Sequence, residues 1–265
     1  MERCQAAGVP AMPVQSSENR VDHDPQLRHR EMYLELDHPV LGPRKFQNAP
    51  FKLSETPALN LKPAPLIGQH NQEIFEGMLG LGHEEFVAGY EDGTFWPKTL
   101  DRYLYMDEMM AADPVPYMGL AAASKRDGPL PRQQETAAAG AGPLSGLRVL
   151  ELADEKGQFC GKLMADLGAE VIKIEPTGGE ATRVVGPFLD DIPHRERSLS
   201  FWHYNTSKRG ITINLESEDG RDLFRRLAAG ADVVLESFRP GYLPSLGLGY
   251  EDLSRENPGL IMCSL

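Results

Sequence analysis

Few residues in this sequence have the type and spacing that chemistry requires, and the first is an acidic residue behind a predicted strand. Glu175 ends the apolar run at 171–174, where a carboxylate could bind the ribose hydroxyls of a nucleotide. The loop at 153–158 lacks the G-x-G-x-x-G spacing that lets a backbone approach a pyrophosphate. The pattern therefore favours a structural carboxylate that caps a loop over a dinucleotide site.

The three cysteines and two of the histidines indicate neither covalent catalysis nor a metal site. Cys4, Cys160 and Cys263 stand far apart without paired spacing, which indicates neither a zinc site nor a disulfide framework. Cys160 lies on the apolar side of a predicted helix, where we expect a buried, unreactive thiol. His194 and His203 have no partner at metal-ligand spacing. We therefore expect no metal.

Three further polar residues are expected to be structural. His70 precedes a predicted helix and should be satisfied by nearby backbone groups. Lys208 and Arg209 lie just before an alternating strand, where charged pairs are usually solvated. None of the three is a candidate for catalysis.

The composition excludes several classes of partner. The chain has 265 residues, enough for one large domain or two small ones, and a net charge of −12 with scattered lysines and arginines. It therefore lacks the basic stripe that binds nucleic acid. No apolar run approaches the roughly 20 residues that span a bilayer, and no secretion signal is evident. We expect a cytoplasmic protein with no nucleic-acid or membrane partner.

The second half of the chain predicts the frame that would position a site. Ser217 is expected to cap a helix that stops at Gly230, and Gly168 to end an earlier helix at 159–167. Alternation of helices with strands predicts parallel pairing, so the fold class is α/β, a Rossmann-like doubly wound parallel sheet. Ligands of such sheets bind at the carboxyl ends of the strands. The predicted strands are 147–152, 171–174, 211–215, 233–235 and 260–264.

The first half predicts different structure. A strand at 32–37 and a returning arm at 44–46 predict a hairpin, and the proline-rich stretch at 51–65 predicts an extended strap. An apolar stripe behind Asn71 predicts a helix that this residue caps. From 97 to 142 the composition predicts a linker, flexible from about residue 121, because it cannot bury enough apolar surface to offset ordering.

Successive blocks of the second half resemble the amino-terminal region of the class III CoA-transferases, the CaiB/BaiF superfamily that also includes alpha-methylacyl-CoA racemase. They occur in family order at 143–152, 165–176, 205–215, 232–241, 246–250 and 257–261. The front of the chain resembles the carboxy-terminal strap and helix of the same family. Those blocks lie at 7–14, 24–27, 38–42, 49–54 and 64–70.

The order of these two regions, a tail before a head, implies the junction of a tandem fusion. Residues 1–96 would be the end of a first copy and residues 143–265 the start of a second, an incomplete large domain. Because the two chain ends meet in one domain in this family, we expect residues 9–81 to pack against residues 143–265. The resemblance implies an interlocked dimer or a fused pseudo-dimer for the longer parent.

The resemblance also implies an activity, the transfer of CoA from an acyl-CoA to a carboxylic acid acceptor. In the family an aspartate attacks the thioester, and an aspartyl-CoA thioester follows. We expect that aspartate outside this chain and assign no catalytic residue. Two alternatives remain open: the acyl-CoA racemase or isomerase chemistry of the superfamily, and a non-catalytic scaffold copy in a fused pseudo-dimer.

Five positions are carried over from the family as CoA contacts. Lys156 and Gly157 lie in the loop after the first strand, which is one residue shorter than in the family. Ile213 and Phe238 match apolar positions near the adenine and the pantetheine, and Ser237 stands where asparagine is common. Without the resemblance, Ile213 and Phe238 would be assigned to the core.

Three departures from the family pattern bear on CoA binding. Gln158 stands where proline is usual, Glu216 where lysine is common, and Ser245 at a position that is often basic. Lost positive charge removes charge-assisted contacts to the CoA phosphates, and Glu216 would repel them. The sequence therefore predicts weak or altered CoA binding.

Overall fold

Short helices and a hairpin precede the central sheet of the protein. The computed structural model describes residues 1–58, 62–95 and 142–265. The helices are α1 (Glu2–Ala6), a π-helical turn (Asn19–His23) and α2 (Pro25–His29). Asp24 caps α2 as an acceptor for the amides of Gln26 at 2.8 Å and Leu27 at 2.9 Å. Strands β1 (Tyr33–His38) and β2 (Gly42–Gln47) pair antiparallel, which confirms the hairpin. The predicted linker at 97–142 lies outside the described residues except for residue 142.

The predicted helix behind Asn71 is present but has an unexpected form. Its main part, Glu73–Met78, is a π-helix, and α3 (His83–Asp92) follows and ends at Gly93 with φ 84°. Ile74 and Phe75 are fully buried. Asn71 does not cap this helix, since its buried side chain donates to Thr212 Oγ1 at 3.0 Å and accepts from the Thr212 amide at 2.9 Å.

A five-stranded sheet, parallel throughout, forms the centre of the protein. It consists of β3 (Arg148–Leu152), β4 (Glu170–Glu175), β5 (Arg209–Thr212), β6 (Val233–Glu236) and β7 (Ile261–Ser264). The spatial order is β5-β4-β3-β6-β7. The predicted doubly wound α/β sheet is therefore confirmed. Because the chain progresses outward in both directions from β3, a crevice is expected between the carboxyl ends of β3 and β6.

Helices join these strands. They are α4 (Gln158–Asp166), α5 (Leu199–Tyr204), α6 (Glu218–Ala228), α7 (Tyr242–Ser245) and α8 (Tyr250–Glu256). Ser217 caps α6 as predicted, its hydroxyl accepting from the Gly220 amide at 3.0 Å, and Gly168 adopts the predicted left-handed conformation with φ 96°. Among the described residues, no helix has both the length and the apolar character to cross a bilayer.

The predicted orientation of α4 is wrong. Phe159 and Cys160 are exposed, and Lys162 and Asp166 are buried instead. These charged side chains can leave water because they pair with each other at 2.8 Å, and Lys162 Nζ also donates to Thr206 Oγ1 at 2.5 Å. Partial burial of the Cys160 sulfur raises the pKa of its thiol, so this cysteine is exposed without being activated.

Residues 1–95 and 142–265 share one apolar core, as expected for the hairpin and for residues 64–81. Ile74 and Phe75 pack in a cluster that includes Leu150 and Ile211 of the sheet. The hairpin packs on α5, where Trp202 is buried. This second apolar cluster consists of Leu41, Phe46, Ala64, Phe201 and Trp202.

Candidate functional site

A cavity of about 260 Å³ lies at the carboxyl ends of β3, β4, β5 and β6. This is the edge of the sheet at which the sequence predicts ligand binding. Its position at the β3–β6 crevice makes it the candidate site. The residues that line it are Leu152, Asp154, Ile174, Glu175, Pro176, Thr177, Glu180, Ala181, Ile213, Asn214, Leu215, Glu216, Ser237, Phe238 and Tyr242.

Apolar side chains form most of the cavity wall. Leu152, Ile174 and Ile213 are buried, and half-buried Phe238 lies against Tyr242 with ring centroids 4.8 Å apart. Ile213 belongs to the core cluster and also lines the cavity, so a core position and a cavity position are compatible here. A wall of this kind can pack against a ring or an alkyl chain.

Ser237 joins two of the loops that form the cavity. Its hydroxyl donates to Asp154 Oδ1 at 2.7 Å and accepts from the Asp154 amide at 2.9 Å. Partial burial alone would raise the pKa of Asp154, but hydrogen bonds from Lys156 and Ser237 outweigh it and hold that pKa below its ordinary value. Asp154 is therefore an anion at neutral pH, fixed between the ends of β3 and β6.

Lys156 and Gly157 do not line the cavity. The Lys156 ammonium pairs with Asp154 Oδ2 at 2.5 Å and is otherwise exposed. Gly157 starts α4, where a Cβ would lie 2.5 Å from Leu265 Cδ1 and 2.7 Å from Ala153 Cβ. The glycine is thus explained by close packing. The structure brings together Ile213, Ser237 and Phe238 but leaves these two predicted contacts beside the cavity.

Glu175 has the structural role that its sequence position favours. It is fully buried, and its carboxylate receives hydrogen bonds from Arg183 at 2.6 and 2.7 Å and from the Glu180 amide at 3.0 Å. Burial would raise its pKa, but the charge and hydrogen bonds of Arg183, together with the Lys173 charge and the Glu180 amide, hold that pKa below its ordinary value. Its acceptor sites are thus occupied by protein donors.

Arg183 extends this ion pair to the segment at 64–67, where the proline-rich strap ends. Its Nη1 donates to Glu196 Oε2 at 2.7 Å, and its Nη2 donates to the Pro65 carbonyl at 3.1 Å. The Ile67 amide donates to Glu196 Oε1 at 2.7 Å. The wall of the cavity formed after β4 is therefore supported by main-chain atoms of the strap.

Glu216 and Tyr242 close one rim of the cavity. The Tyr242 hydroxyl donates to Glu216 Oε1 at 2.6 Å, and burial together with this carboxylate raises the pKa of Tyr242 to about 12. Ser245, another position that departs from the family pattern, is exposed and donates to the Tyr242 carbonyl at 2.6 Å. The phenol therefore stays protonated at neutral pH and holds Glu216 at the rim.

The charge of the lining is acidic. It includes four carboxylates and, from the described part of the chain, no lysine or arginine; the four are Asp154, Glu175, Glu180 and Glu216. Burial raises the pKa of Glu180, which lies 3.4 Å from Lys173 Nζ. The walls suit the apolar parts of CoA, whereas the Glu216 rim does not suit a phosphate.

Buried lysines behind the cavity are the residues that sequence reasoning missed. Lys208 is fully buried, so its assignment as a solvated residue is wrong. Its ammonium reaches Glu151, 57 positions earlier in the chain, at 2.9 Å. The available signal was Glu151 itself, a charge within the apolar run at 148–152, since a carboxylate in a buried strand requires a buried cation. His70 behaves as expected, with Nδ1 accepting from the Gly210 amide at 3.0 Å.

Comparison with known proteins identifies the family. The model of CoA-transferase family III matches residues 1–71 and 144–265. Succinyl-CoA:(R)-benzylsuccinate CoA-transferase subunit BbsE from Thauera aromatica is 46% identical over 121 residues, which are 46% of this chain and 30% of that protein. Succinyl-CoA–D-citramalate CoA-transferase from Chloroflexus aurantiacus is 48% identical over 124 residues, 45% of this chain and 29% of that protein.

A solved structure gives a similar match. A CAIB/BAIF family protein from Brucella suis is 47% identical, with a TM-score of 0.43 over 47% of this chain and 33% of that one. The chain thus spans about 30% of the length of the curated relatives it matches. Because the family model matches well over half of the residues, on both sides of the undescribed segment, the chain belongs to CoA-transferase family III.

Proposed function

We propose that this chain is part of an enzyme that transfers CoA between carboxylic acids, and that the cavity holds part of an acyl-CoA. Family membership supports the reaction class. The observation that carries the proposal is that Ile213, Ser237 and Phe238, which come from the ends of two different strands, line one cavity. The relatives named above carry CoA-transferase in their names.

The reaction that we propose proceeds through an enzyme carboxylate. That carboxylate attacks the acyl-CoA carbonyl and releases CoA thiolate, which leaves a mixed anhydride. The thiolate then attacks the enzyme's carbonyl of this anhydride, which releases the first carboxylate and leaves an aspartyl-CoA thioester on the enzyme. The acceptor carboxylate attacks that thioester, which releases CoA thiolate and forms a second anhydride. The thiolate attacks the acceptor's carbonyl, forms the new acyl-CoA and frees the enzyme carboxylate. We assign the nucleophilic aspartate to no residue of this chain.

In this reaction the described residues would bind and orient the substrate. Phe238 and Ile213 would pack against the apolar parts of CoA, and the Ser237–Asp154 hydrogen bonds would keep the loops after β3 and β6 at a fixed separation. The parent protein would form an interlocked dimer or a fused pseudo-dimer. The packing of residues 64–95 against the sheet supports a fusion in which the tail-like and head-like regions share one body.

A second function, a non-catalytic scaffold copy, is favoured by one observation. The rim of the cavity carries Glu216, held by Tyr242, and the nearby Ser245 offers no positive charge. Phosphates bound at such a rim would lack charge-assisted hydrogen bonds and would meet a carboxylate. A copy with this site could complete the assembly while the other copy carries out the chemistry.

Calorimetric titration of the full chain with CoA tests the proposal. We expect saturable binding to one site, and Phe238→Ala should weaken it about tenfold because an apolar contact of roughly 1–2 kcal/mol is lost. The scaffold function predicts no binding by the unaltered chain at millimolar CoA.

Phe159→Ala is the matched control for this titration. Phe159 is 44% exposed on α4, contacts Tyr204 and does not line the cavity, so its removal should leave CoA binding unchanged. Equal weakening by both substitutions would contradict the assignment of CoA to this cavity.

A further inference from the structure

Three charged side chains form a buried cluster behind the cavity. Glu151 on β3 is fully buried, and its Oε1 lies 3.0 Å from Lys173 Nζ on β4 and 2.9 Å from Lys208 Nζ, which precedes β5. The second carboxylate oxygen lies 2.7 Å from Lys208 Nζ. One carboxylate thus holds two ammonium groups, one from β4 and one from the residue before β5.

Both ammonium groups also bind the main chain, at opposite ends of one loop. Lys173 Nζ donates to the Ala153 carbonyl at 2.9 Å, directly after β3. Lys208 Nζ donates to the Gln158 carbonyl at 2.7 Å, at the start of α4. The loop at 153–158 is therefore held at its first and last residues by lysines that share Glu151 as their anion.

Between these two points the loop is also held by hydrogen bonds of Asp154. The Asp154 carbonyl accepts from the Gly157 and Gln158 amides at 3.0 and 2.9 Å, and its side chain binds the Lys156 amide and, across the crevice, Ser237. Asp154 also contributes to the cavity wall. The path of the loop thus depends on these bonds together with the two lysine contacts, which hold its first and last residues.

The composition of this cluster argues for a role beyond stability. Burying three charges requires removing them from water, and well-packed apolar residues of similar volume often give equal or greater stability. Only the ammonium groups, however, can donate at once to Glu151 and to a loop carbonyl. The feature that an apolar replacement would lose is the fixed loop.

We infer that Glu151, Lys173 and Lys208 are positioning residues that hold the loop at 153–158 in the shape required for acyl-CoA binding. The inference rests on the proposed function for the identity of the ligand. The fixing of the loop by the cluster is measurable without any ligand.

Hydrogen exchange of the full chain without ligand provides the test. Lys173→Met and Lys208→Met should each raise amide exchange at 154–158 about tenfold or more, because the loop opens locally once one end is released. Both should also weaken CoA binding in a calorimetric titration. If either substitution prevents folding, Glu151→Gln keeps an acceptor for both lysines and should raise loop exchange as well.

Lys162→Met is the matched control. Lys162 is equally buried on α4, but it binds Asp166 and Thr206 and not the loop. Loop exchange that rises in the cluster variants and not in Lys162→Met supports the inference, and equal exchange in all variants overturns it. Failure of the unaltered chain to bind CoA would contradict the proposed function instead, because the exchange experiment contains no CoA.

Discussion

At the level of single residues, Glu216 sets the charge at the rim of the cavity. Its carboxylate accepts from the Tyr242 hydroxyl and lies beside apolar walls that suit CoA. The resemblance predicted a conflict with the CoA phosphates from position alone, and the structure adds that the carboxylate is held at the rim rather than free to turn away. This carboxylate and the lack of a lysine or arginine among the described lining residues are thus the features that make the rim unsuitable for a phosphate.

Glu216→Lys should therefore improve CoA binding. Replacing repulsion by attraction at a partly exposed rim changes the binding free energy by about 1 kcal/mol, which is roughly a threefold to tenfold lower Kd at low salt. The gain should shrink as salt is raised, because exposed charges are screened. Calorimetric titrations at two salt concentrations measure both effects.

Glu256→Lys makes the same charge change at the other edge of the sheet. Glu256 is exposed at the end of α8, which precedes β7. An equal gain from this substitution would show that net charge, and not the rim, controls the affinity.

The pKa of Lys208 predicts a pH dependence of stability. Burial lowers it from 10.5 to about 8, despite the opposing effect of Glu151; Lys173 lowers it further and Glu180 raises it. Between these two values the unfolded chain binds more protons than the folded one, so the free energy of unfolding should rise with pH. The rise is at most about 3 kcal/mol.

Urea unfolding at pH 7.5, 9 and 10 measures this effect. In Lys208→Met the contribution is absent, so its free energy of unfolding should rise less over the same range. Groups that lie away from Lys208 and titrate alike in both proteins cancel in the comparison. Parallel pH curves for the two proteins would contradict the assigned pKa.

At the level of elements, α4 shows how far sequence reasoning reaches. Its limits were predicted because apolar residues recur with a helical period and Gly168 ends the run. Its orientation was not predicted. The buried side of α4 carries Lys162 and Asp166, which pair with each other, and Lys162 also binds Thr206, 44 positions later in the chain. Periodicity identifies a helix, but distant charge partners decide which side faces the core.

Gly161 allows α4 to lie directly on the ionic cluster. A Cβ at this position would overlap the Glu151 carboxylate and lie 3.3 Å from Lys208 Nζ. Gly161→Ala should therefore destabilise the protein by at least about 1 kcal/mol, since overpacking outweighs the better helix propensity of alanine. Thermal or urea unfolding measures the loss.

Gly259→Ala is the comparison for this substitution. A Cβ there would meet only Asn257 Oδ1, at an ordinary 3.8 Å. We expect little change in stability. A loss as large as that of Gly161→Ala would show that crowding against Glu151 is not the cause of the destabilisation.

The candidate site was predicted in part for a similar reason. The parallel sheet and the use of its carboxyl edge follow from alternating strands and helices, and Ile213 and Phe238 are apolar residues at strand ends. Asp154, Tyr242 and the lysine contacts could not be predicted, because each depends on a side chain from another loop. Local patterns predict strands, helices and parallel pairing better than they predict which loops meet.

For the whole molecule, the two halves of the chain depend on one another. Asn71 and Thr212 exchange buried hydrogen bonds, and Ile74 and Phe75 complete the apolar layer over the sheet. The resemblance predicted this packing from the family's arrangement. Sequence patterns alone could not, because the contacts join residues about 140 positions apart.

Residues 1–95 and 142–265, produced together as separate polypeptides, should therefore form a 1:1 complex. Burial of a shared apolar core drives the association. Asn71→Ala should weaken it about tenfold, because lost buried hydrogen bonds leave the Thr212 amide unpaired. Light scattering after size-exclusion chromatography reports the stoichiometry, and a dilution series reports the affinity.

Asn48→Ala serves as the control. Asn48 lies after β2, and its side chain donates to the Glu31 carbonyl at 3.3 Å and accepts from the Ala49 amide at 2.9 Å, both within residues 1–95. It should leave the complex unchanged. Two polypeptides that remain apart at micromolar concentration would contradict a shared core.

The segment at 64–67 contacts the buried Arg183–Glu196 pair through two main-chain groups, the Pro65 carbonyl and the Ile67 amide. Every residue has a carbonyl, and every residue except proline has an amide. Substitutions there that preserve the packing of the buried side chains can therefore leave the ion pair covered, provided that the number of residues and their course across the sheet stay the same. Insertions and deletions there should be rarer among homologues than substitutions.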